Sequence, residues 1–348
     1  MEWDLYQKRF KISAKKKGYP NEFIQECLLY AKKLNEQNYP IIYNVEHLSR
    51  LLGYTSKYLY KITNEKNKNY RKYRIPKKNG NFRTITEPYF DLKNIQTWIL
   101  DNILYHISVS PYAKAYIPKH SLRDNVKFHI KQPVVIKLDL TDFFPSIKEG
   151  CIVKIFMQMG YSSVLSGLLG KLCCYENSLP QGAPTSPYLS NIYCRRIDKR
   201  IGNYITKLGF RYTRYSDDIT ISGNISDRQI GTIIKFCKKC LNEAHLQLNE
   251  EKTQILRHSN RQVVTGVVLN DKISAGVRKK KEIRQEIYYI KKFGLESHIL
   301  HKNIEKQNYI YHLAGKINWV LELERNNKEF LEYKSYVNKI IQGNNEER

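Results

Sequence analysis

The sequence predicts an α+β fold, and three observations carry that expectation. Apolar residues recur at helical spacing near both ends of the chain, and short strand-like runs bounded by turn residues fill the middle. A chain of 348 residues with 41% hydrophobic side chains is also long and apolar enough to bury a sizeable core. There is no repeat of 20–50 residues and no long low-complexity tract, which removes solenoids and wholesale disorder.

Residues 1–60 read as helices. Within them, Val45 to Ile62 reads as two short helices around Gly53-Tyr54-Thr55, with Leu48, Leu51, Leu52, Leu59 and Ile62 apolar. That pattern resembles a helix-turn-helix, and two packed helices under a basic surface explain it as simply. From Lys66 the chain turns basic, with Lys66, Lys68, Arg71, Lys72, Arg74, Lys77 and Lys78 inside thirteen positions. Asn79-Gly80 follows, and the flank Phe82-Arg83-Thr84-Ile85 alternates, so a basic β-hairpin is expected. Residues 90–107 place Leu92, Ile95, Trp98, Ile99, Ile103 and Leu104 on one helical face. Pro133 to Asp139 is an apolar strand that ends at a carboxylate, and Ile152 to Leu172 reads as one helix. Pro180 to Pro184 is a loop, with a helix beginning near Ser186-Pro187. Arg211 to Ser222 reads as two short strands, Val263 to Leu269 as another, and helix dominates from about Arg278.

Charge narrows the functional class. Lys and Arg number 59 against 33 Asp and Glu, a formal net charge of +26. Such a surplus suits a polyanionic partner. Twenty-seven Tyr offer rings for base stacking, which favours nucleic acid over an anionic membrane surface. A mean hydropathy of −0.57 and the lack of a long apolar run argue against a membrane span. The acidic opening Met1-Glu2-Trp3-Asp4 does not read as a signal peptide, so a cytoplasmic location is expected. The seven Cys show no framework spacing, and reduced thiols are expected. Cys237-x-x-Cys240 could be half of a zinc site, but it sits in a helical pattern and no second pair follows.

The chemistry centres on Tyr215-Ser216-Asp217-Asp218, followed by Ile219 and Ile221 alternating with Thr220 and Ser222. Two adjacent acids at a hairpin tip repel; at 4 Å and an effective dielectric of 20 the repulsion is about 4 kcal/mol. Solvent or a bound cation must offset it. Asp139 also ends an apolar strand. If the two strands neighbour each other in one sheet, three hard oxygen ligands converge, a set suited to Mg²⁺.

The surrounding stretches resemble the motifs of reverse transcriptases, in the family's order. Lys137-Leu138-Asp139-Leu140-Thr141-Asp142-Phe143-Phe144-Pro145-Ser146-Ile147 resembles the first catalytic motif. Leu179-Pro180-Gln181-Gly182-Ala183-Pro184-Thr185-Ser186-Pro187, then Ser190-Asn191, resembles the motif that positions template and nucleotide. Tyr215 to Asp218 matches the Tyr-x-Asp-Asp box, with Ser216 where Ala is commoner, and Asn249-Glu250-Glu251-Lys252-Thr253 matches the motif that follows. Three further stretches resemble bacterial retron reverse transcriptases: Val264-Thr265-Gly266; Asn125-Val126-Lys127-Phe128-His129, with Val where Ala is usual; and Ile75 to Gly80 with Arg83.

The resemblance implies a right-hand polymerase fold. An N-terminal helical region would span 1–60, fingers and a palm with an antiparallel sheet 61–270, and a helical RNA-binding thumb 271–348. Asp139, Asp217 and Asp218 would hold two Mg²⁺ ions, and Lys252 would lie near the leaving pyrophosphate of a dNTP. Lys77, Lys78 and Arg83 would clamp the triphosphate. Phe144 would exclude a ribonucleotide 2′-OH. Gln181 and Gly182 would lie against nucleotide and template. Arg278, Lys279, Lys280, Lys281, Arg284, Lys291 and Lys292 would bind structured RNA by shape and backbone, near Tyr288 and Tyr289. No role is assigned to His129 beyond a structural one. The implied partners are a cognate noncoding RNA, its branched msDNA product primed from a guanosine 2′-OH, and a separate effector protein in anti-phage defence, with no membrane. Other readings are another bacterial defence or group II intron-like reverse transcriptase, and a non-catalytic RNA-binding scaffold.

Overall fold

A computed structural model describes residues 3–77, 80–302 and 308–346. Lys78 and Asn79, on which the expected clamp and turn partly rest, lie outside the described residues. The mixed helix-and-sheet class is as expected. Four helices open the chain: α1 (Trp3–Lys16), α2 (Asn21–Glu36), α3 (Val45–Leu52) and α4 (Ser56–Asn64). Asn44 and Thr55 cap α3 and α4 by accepting from the amides of His47 and Tyr58, and Gly53 at φ +74° closes α3. Leu48, Leu59 and Ile62 are buried, so this pair is held by core packing.

The basic hairpin follows as β1 (Tyr70–Pro76) and β2 (Phe82–Pro88), with Pro76 opposite Phe82 and Gly80 at φ +82°. Helix α5 runs from Phe90 to Asn102, and Leu104–His106 continues it only as a 3₁₀ turn. Next come α6 (Leu122–Val126), β3 (Val134–Thr141) and the short α7 (Phe143–Ser146). The single helix expected over Ile152 to Leu172 is two, α8 (Glu149–Gln158) and α9 (Ser163–Cys173). Gly160 at φ +104° ends the first, and Ser162 caps the second by accepting from the Leu165 amide.

Helix α10 (Ser186–Lys207) leads to β4 (Arg211–Tyr215) and β5 (Asp218–Gly223), then α11 (Asp227–Asn242) and β6 (Gln247–Arg257). These strands form one sheet in the order β4-β5-β3-β6. The strand expected over Val263 to Leu269 is instead a tight hairpin, β7 (Val263–Val264) against β8 (Val267–Val268), because Thr265 and Gly266 turn the chain at φ +46° and +83°. Helices α12 (Val277–Phe293), α13 (Leu295–His301), α14 (Tyr309–Leu323) and α15 (Lys328–Glu346) complete the chain.

The chain forms two compact units: Met1–Ile117 with Leu140–Ile201 and Lys235–Asn249, and Pro118–Asp139 with Gly202–Ile234 and Glu250–Arg348. In the second unit one core joins Val126 and Val135 to Val264, Val267 and the inward faces of α12, α14 and α15. Cys237 and Cys240 sit in α11 as buried free thiols, and burial pushes Cys237 up to about 12, which suits packing rather than metal binding.

Candidate active site

Sheet register brings the three acids to one edge. Strands β3 and β5 run antiparallel with Asp139 directly opposite Asp218, while Tyr215 faces Asp218 across the β4–β5 hairpin. The two-residue turn between them is Ser216-Asp217, and Ser216 adopts φ +61°. A side chain in that region costs on the order of 1 kcal/mol, so outside contacts must hold the turn. One is Arg214, buried to 2% exposure, whose Nη1 donates to the Ser216 carbonyl at 2.9 Å.

Electrostatics record the crowding. Burial, then Asp217 and Asp139, raise the Asp218 carboxyl to about 6. Lys252 reaches from β6 to donate to Asp139 Oδ2 at 2.8 Å, and this bond raises the Lys252 ammonium above its ordinary value. Among the described residues no three acidic, His or Cys side chains form a ready-made metal cage. The donor set nonetheless fits a hard divalent ion: three carboxylates repel one another, and an ammonium already supplies counter-charge at one of them.

The expected nucleotide-side residues lie in the first unit. Lys77 and Arg83 stand exposed on the basic hairpin. The Gln181 carbonyl accepts from the Thr86 amide of β2 at 2.7 Å. Gly182 follows at φ +132°, where a Cβ would come within 2.8 Å of both Ile85 Cγ2 and the Thr86 carbonyl. Phe144 is half-buried beside Phe143 and Tyr116, with ring centroids at 5.3 and 6.4 Å.

The C-terminal cations divide into two sets. Lys280 is largely buried and pairs with Glu324 at 3.0 Å, and Arg284 forks onto Glu329 at 2.6 and 2.7 Å. Lys279 lies 3.9 Å from the Trp319 ring centroid. These three brace α12 against the following helices. Lys281, Lys291 and Lys292 are exposed, as are Lys279 and Arg278, the latter paired with Glu282 one turn on, and Lys291 also lies over the Tyr333 and Tyr336 rings of α15 at 5.6 and 5.1 Å. The sequence shows few acids between the cations of α12, but the acids arrive from 44 and 45 residues downstream.

His129 is completely buried, with Nδ1 2.7 Å from Ser222 Oγ and Nε2 2.8 Å from Thr213 Oγ1. Burial, then the nearby Arg211, lower its imidazole to about 3, so it is neutral at physiological pH. An unfolded His near 6.5 binds protons that the folded one refuses. The stability it contributes is therefore full above pH 6.5 and is lost as pH falls toward 3, at roughly 1.4 kcal/mol per unit. Acid unfolding of His129→Gln should have a shallower slope than wild type between pH 6 and 4; parallel curves would contradict a neutral buried His129.

A strand-edge carboxylate cluster on an antiparallel sheet, with a basic hairpin and a glycine-bearing loop elsewhere in the chain, is the equipment of a template-directed nucleotide polymerase. Residues 75–290 match the family model "Reverse transcriptase (RNA-dependent DNA polymerase)". The chain is 32% identical over 321 residues to the Retron Ec86 reverse transcriptase of Escherichia coli, covering 88% of this chain and 92% of that one. It is also 32% identical over 228 residues to the Retron Mx162 reverse transcriptase of Myxococcus xanthus, covering 58% and 47%. A telomerase structure from Candida albicans aligns over 77% of this chain and 63% of that one, with TM-score 0.44 and 9% identity, too distant to bear on function. The chain belongs to the bacterial retron reverse transcriptases, and is an RNA-directed DNA polymerase of right-hand fold. Among the described residues no helix is long and apolar enough to cross a membrane.

Proposed function

We propose that the protein synthesises branched msDNA on its own structured noncoding RNA, and that RNA, msDNA and a separate effector protein act together in anti-phage defence. The polymerase half of this reading is carried by the register of Asp139 against Asp218, with Lys252 on Asp139. The retron half is supported by the match along nearly the whole of the Escherichia coli relative. In this reading 61–270 act as fingers and palm, 271–348 as thumb and 1–60 as an N-terminal extension.

A guanosine 2′-OH of the RNA attacks the α-phosphorus of a dNTP. The new P–O bond forms as the bond to the β-phosphate oxygen breaks, and the 2′ proton passes to solvent. Two Mg²⁺ ions, held by Asp139, Asp217 and Asp218, would supply charge stabilisation for the attacking and leaving oxygens. Lys252 donates a proton to the departing pyrophosphate. Lys77, Lys78 and Arg83 hold the triphosphate, Gln181 and Gly182 lie along nucleotide and template, and Phe144 closes the space a 2′-OH would need. Exposed Arg278, Lys281, Lys291 and Lys292 lie on RNA phosphates. Lys279, Lys280 and Arg284 contribute chiefly by bracing the helix that presents them.

Nucleic acid that copurifies with the protein tests the reading. After ribonuclease digestion its DNA should keep a ribonucleotide stub joined through a 2′ oxygen at the 5′ end. DNA with an ordinary free 5′ end would support a differently primed reverse transcriptase instead.

A further inference from the structure

The β4–β5 hairpin is poorly specified by its own sequence. Two-residue hairpin turns favour Gly or Asn where φ is positive, and Ser216 occupies that position at +61°. β5 is buried on both faces, with Ile219 and Ile221 on one and Thr220 and Ser222 on the other, so apolar and hydroxyl residues alternate between them. That alternation forbids a slip of one residue, but a slip of two leaves every side chain on its original face. Such a slip would carry Asp218 along the sheet, away from its place opposite Asp139. Something beyond the hydrophobic pattern must pin the register.

A buried hydrogen-bonded bridge is placed to do so. Asn125, His129, Thr213 and Ser222 are all at most 1% exposed. The Thr213 hydroxyl donates to Asn125 Oδ1 at 2.7 Å. With its proton committed there, Thr213 Oγ1 can only accept from His129, so Nε2 carries the ring proton. The neutral ring then leaves Nδ1 as acceptor, and the Ser222 hydroxyl donates to it. The Asn125 amide nitrogen points on to Thr265 Oγ1 at a long 3.5 Å, which is consistent with the amide orientation the Thr213 bond requires. Each proton along Ser222, His129, Thr213 and Asn125 therefore has one place.

His129 thus grips both strands of the hairpin at once, Thr213 on β4 and Ser222 on β5. These residues are offset by two positions in the ladder, since Thr213 pairs with Thr220 and Arg211 with Ser222. By the two-residue period of a strand, Thr213 shares its face with Tyr215, and Ser222 shares its face with Asp218. A two-residue slip of the hairpin along β3 would carry Thr213 and Ser222 away from a ring that has no solvent to turn to. The far end of the bridge reaches the Thr265-Gly266 turn, shortly before α12.

We propose that Asn125, His129, Thr213, Ser222 and Thr265 are positioning residues for DNA synthesis. They set the register of the hairpin that carries Asp217 and Asp218, and tie it to the turn that leads into α12. The two short stretches that mark the chain as retron-like, at 125–129 and 264–266, are on this account two ends of one bridge. The inference rests on the catalytic assignment of Asp217 and Asp218.

Single-turnover dNTP incorporation on an external RNA template with a DNA primer tests it, below the unfolding temperature of every variant. Thr213→Val keeps the shape and removes the hydroxyl. It should lower the maximal incorporation rate by about 10- to 100-fold, the cost of a displaced reacting group, while the dNTP dissociation constant stays within about twofold. Thr213→Ser, which restores the hydroxyl, should recover most of the rate. Ser222→Ala, which removes one oxygen atom, should show the same split more mildly and decides the matter if Thr213→Val does not fold. A wild-type rate in folded Thr213→Val, or in folded Ser222→Ala if that variant must stand in, with only a lowered melting temperature, would reduce the bridge to a stability element and overturn the proposal. The Asp217→Asn, Asp218→Asn variant separates the two levels. If it makes DNA normally, the catalytic assignment fails; if it is inactive while Thr213→Val runs at the wild-type rate, only the positioning role fails.

Discussion

DNA synthesis by the Asp217→Asn, Asp218→Asn variant should fall at least about a thousandfold, the scale of losing a preorganised charge-stabilising group, while the fold becomes slightly more stable. Both outcomes follow from one source. Asp218 is raised to about 6 because burial and two neighbouring carboxylates oppose its charge. Each pKa unit is about 1.4 kcal/mol, and discounting for partial exposure leaves roughly 1–2 kcal/mol of strain that neutral amides relieve. Thermal unfolding and primer extension measured on the same preparation check the pair. Lost activity with a lowered melting temperature would point to general damage, and retained activity would remove these acids from the chemistry.

Gly182→Ala should damage the first unit severely. The backbone there sits at φ +132°, and the added Cβ would come within 2.8 Å of Ile85 Cγ2 and of the Thr86 carbonyl oxygen. Neither obstacle is the end of a long flexible side chain. The Thr86 amide also donates to Gln181 at 2.7 Å, so the loop cannot retreat without breaking that bond. Strained backbone and overpacking together should cost about 2–4 kcal/mol. If half of that appears in nucleotide binding, the KM for dNTP rises about tenfold. Steady-state kinetics on a homopolymeric RNA template read this directly; an unchanged KM at a wild-type melting temperature would contradict contact of this loop with the nucleotide.

Much of this was legible in the sequence where the signal is local. Adjacent acids between a tyrosine and an alternating strand marked the hairpin tip, and Asp139 at the end of an apolar run marked its partner, now found in register. The basic hairpin and the helical ends were equally readable. The break at Gly160 was signalled by the glycine and by Ser162, but the apolar spacing on both sides concealed it. What the sequence hides is distance. The partners of Lys280 and Arg284 lie 44 and 45 residues away, so apparently spare cations prove to be engaged. The partners of His129 lie 84 and 93 residues away, and only the fold shows why an imidazole is needed there. Arg214, to which the sequence reading assigns no role, is buried and braces the turn beside Asp217.

In the proposed polymerase, Asp139, Asp217 and Asp218 meet to hold a pair of divalent ions. Anomalous scattering from a crystal of the protein with RNA template, DNA primer and Mn²⁺ addresses it without an activity assay. Two Mn²⁺ peaks should appear against Asp139, Asp217 and Asp218, with Lys252 released from Asp139. Mn²⁺ bound elsewhere, with the Lys252–Asp139 bond intact beside a paired primer end, would contradict that arrangement.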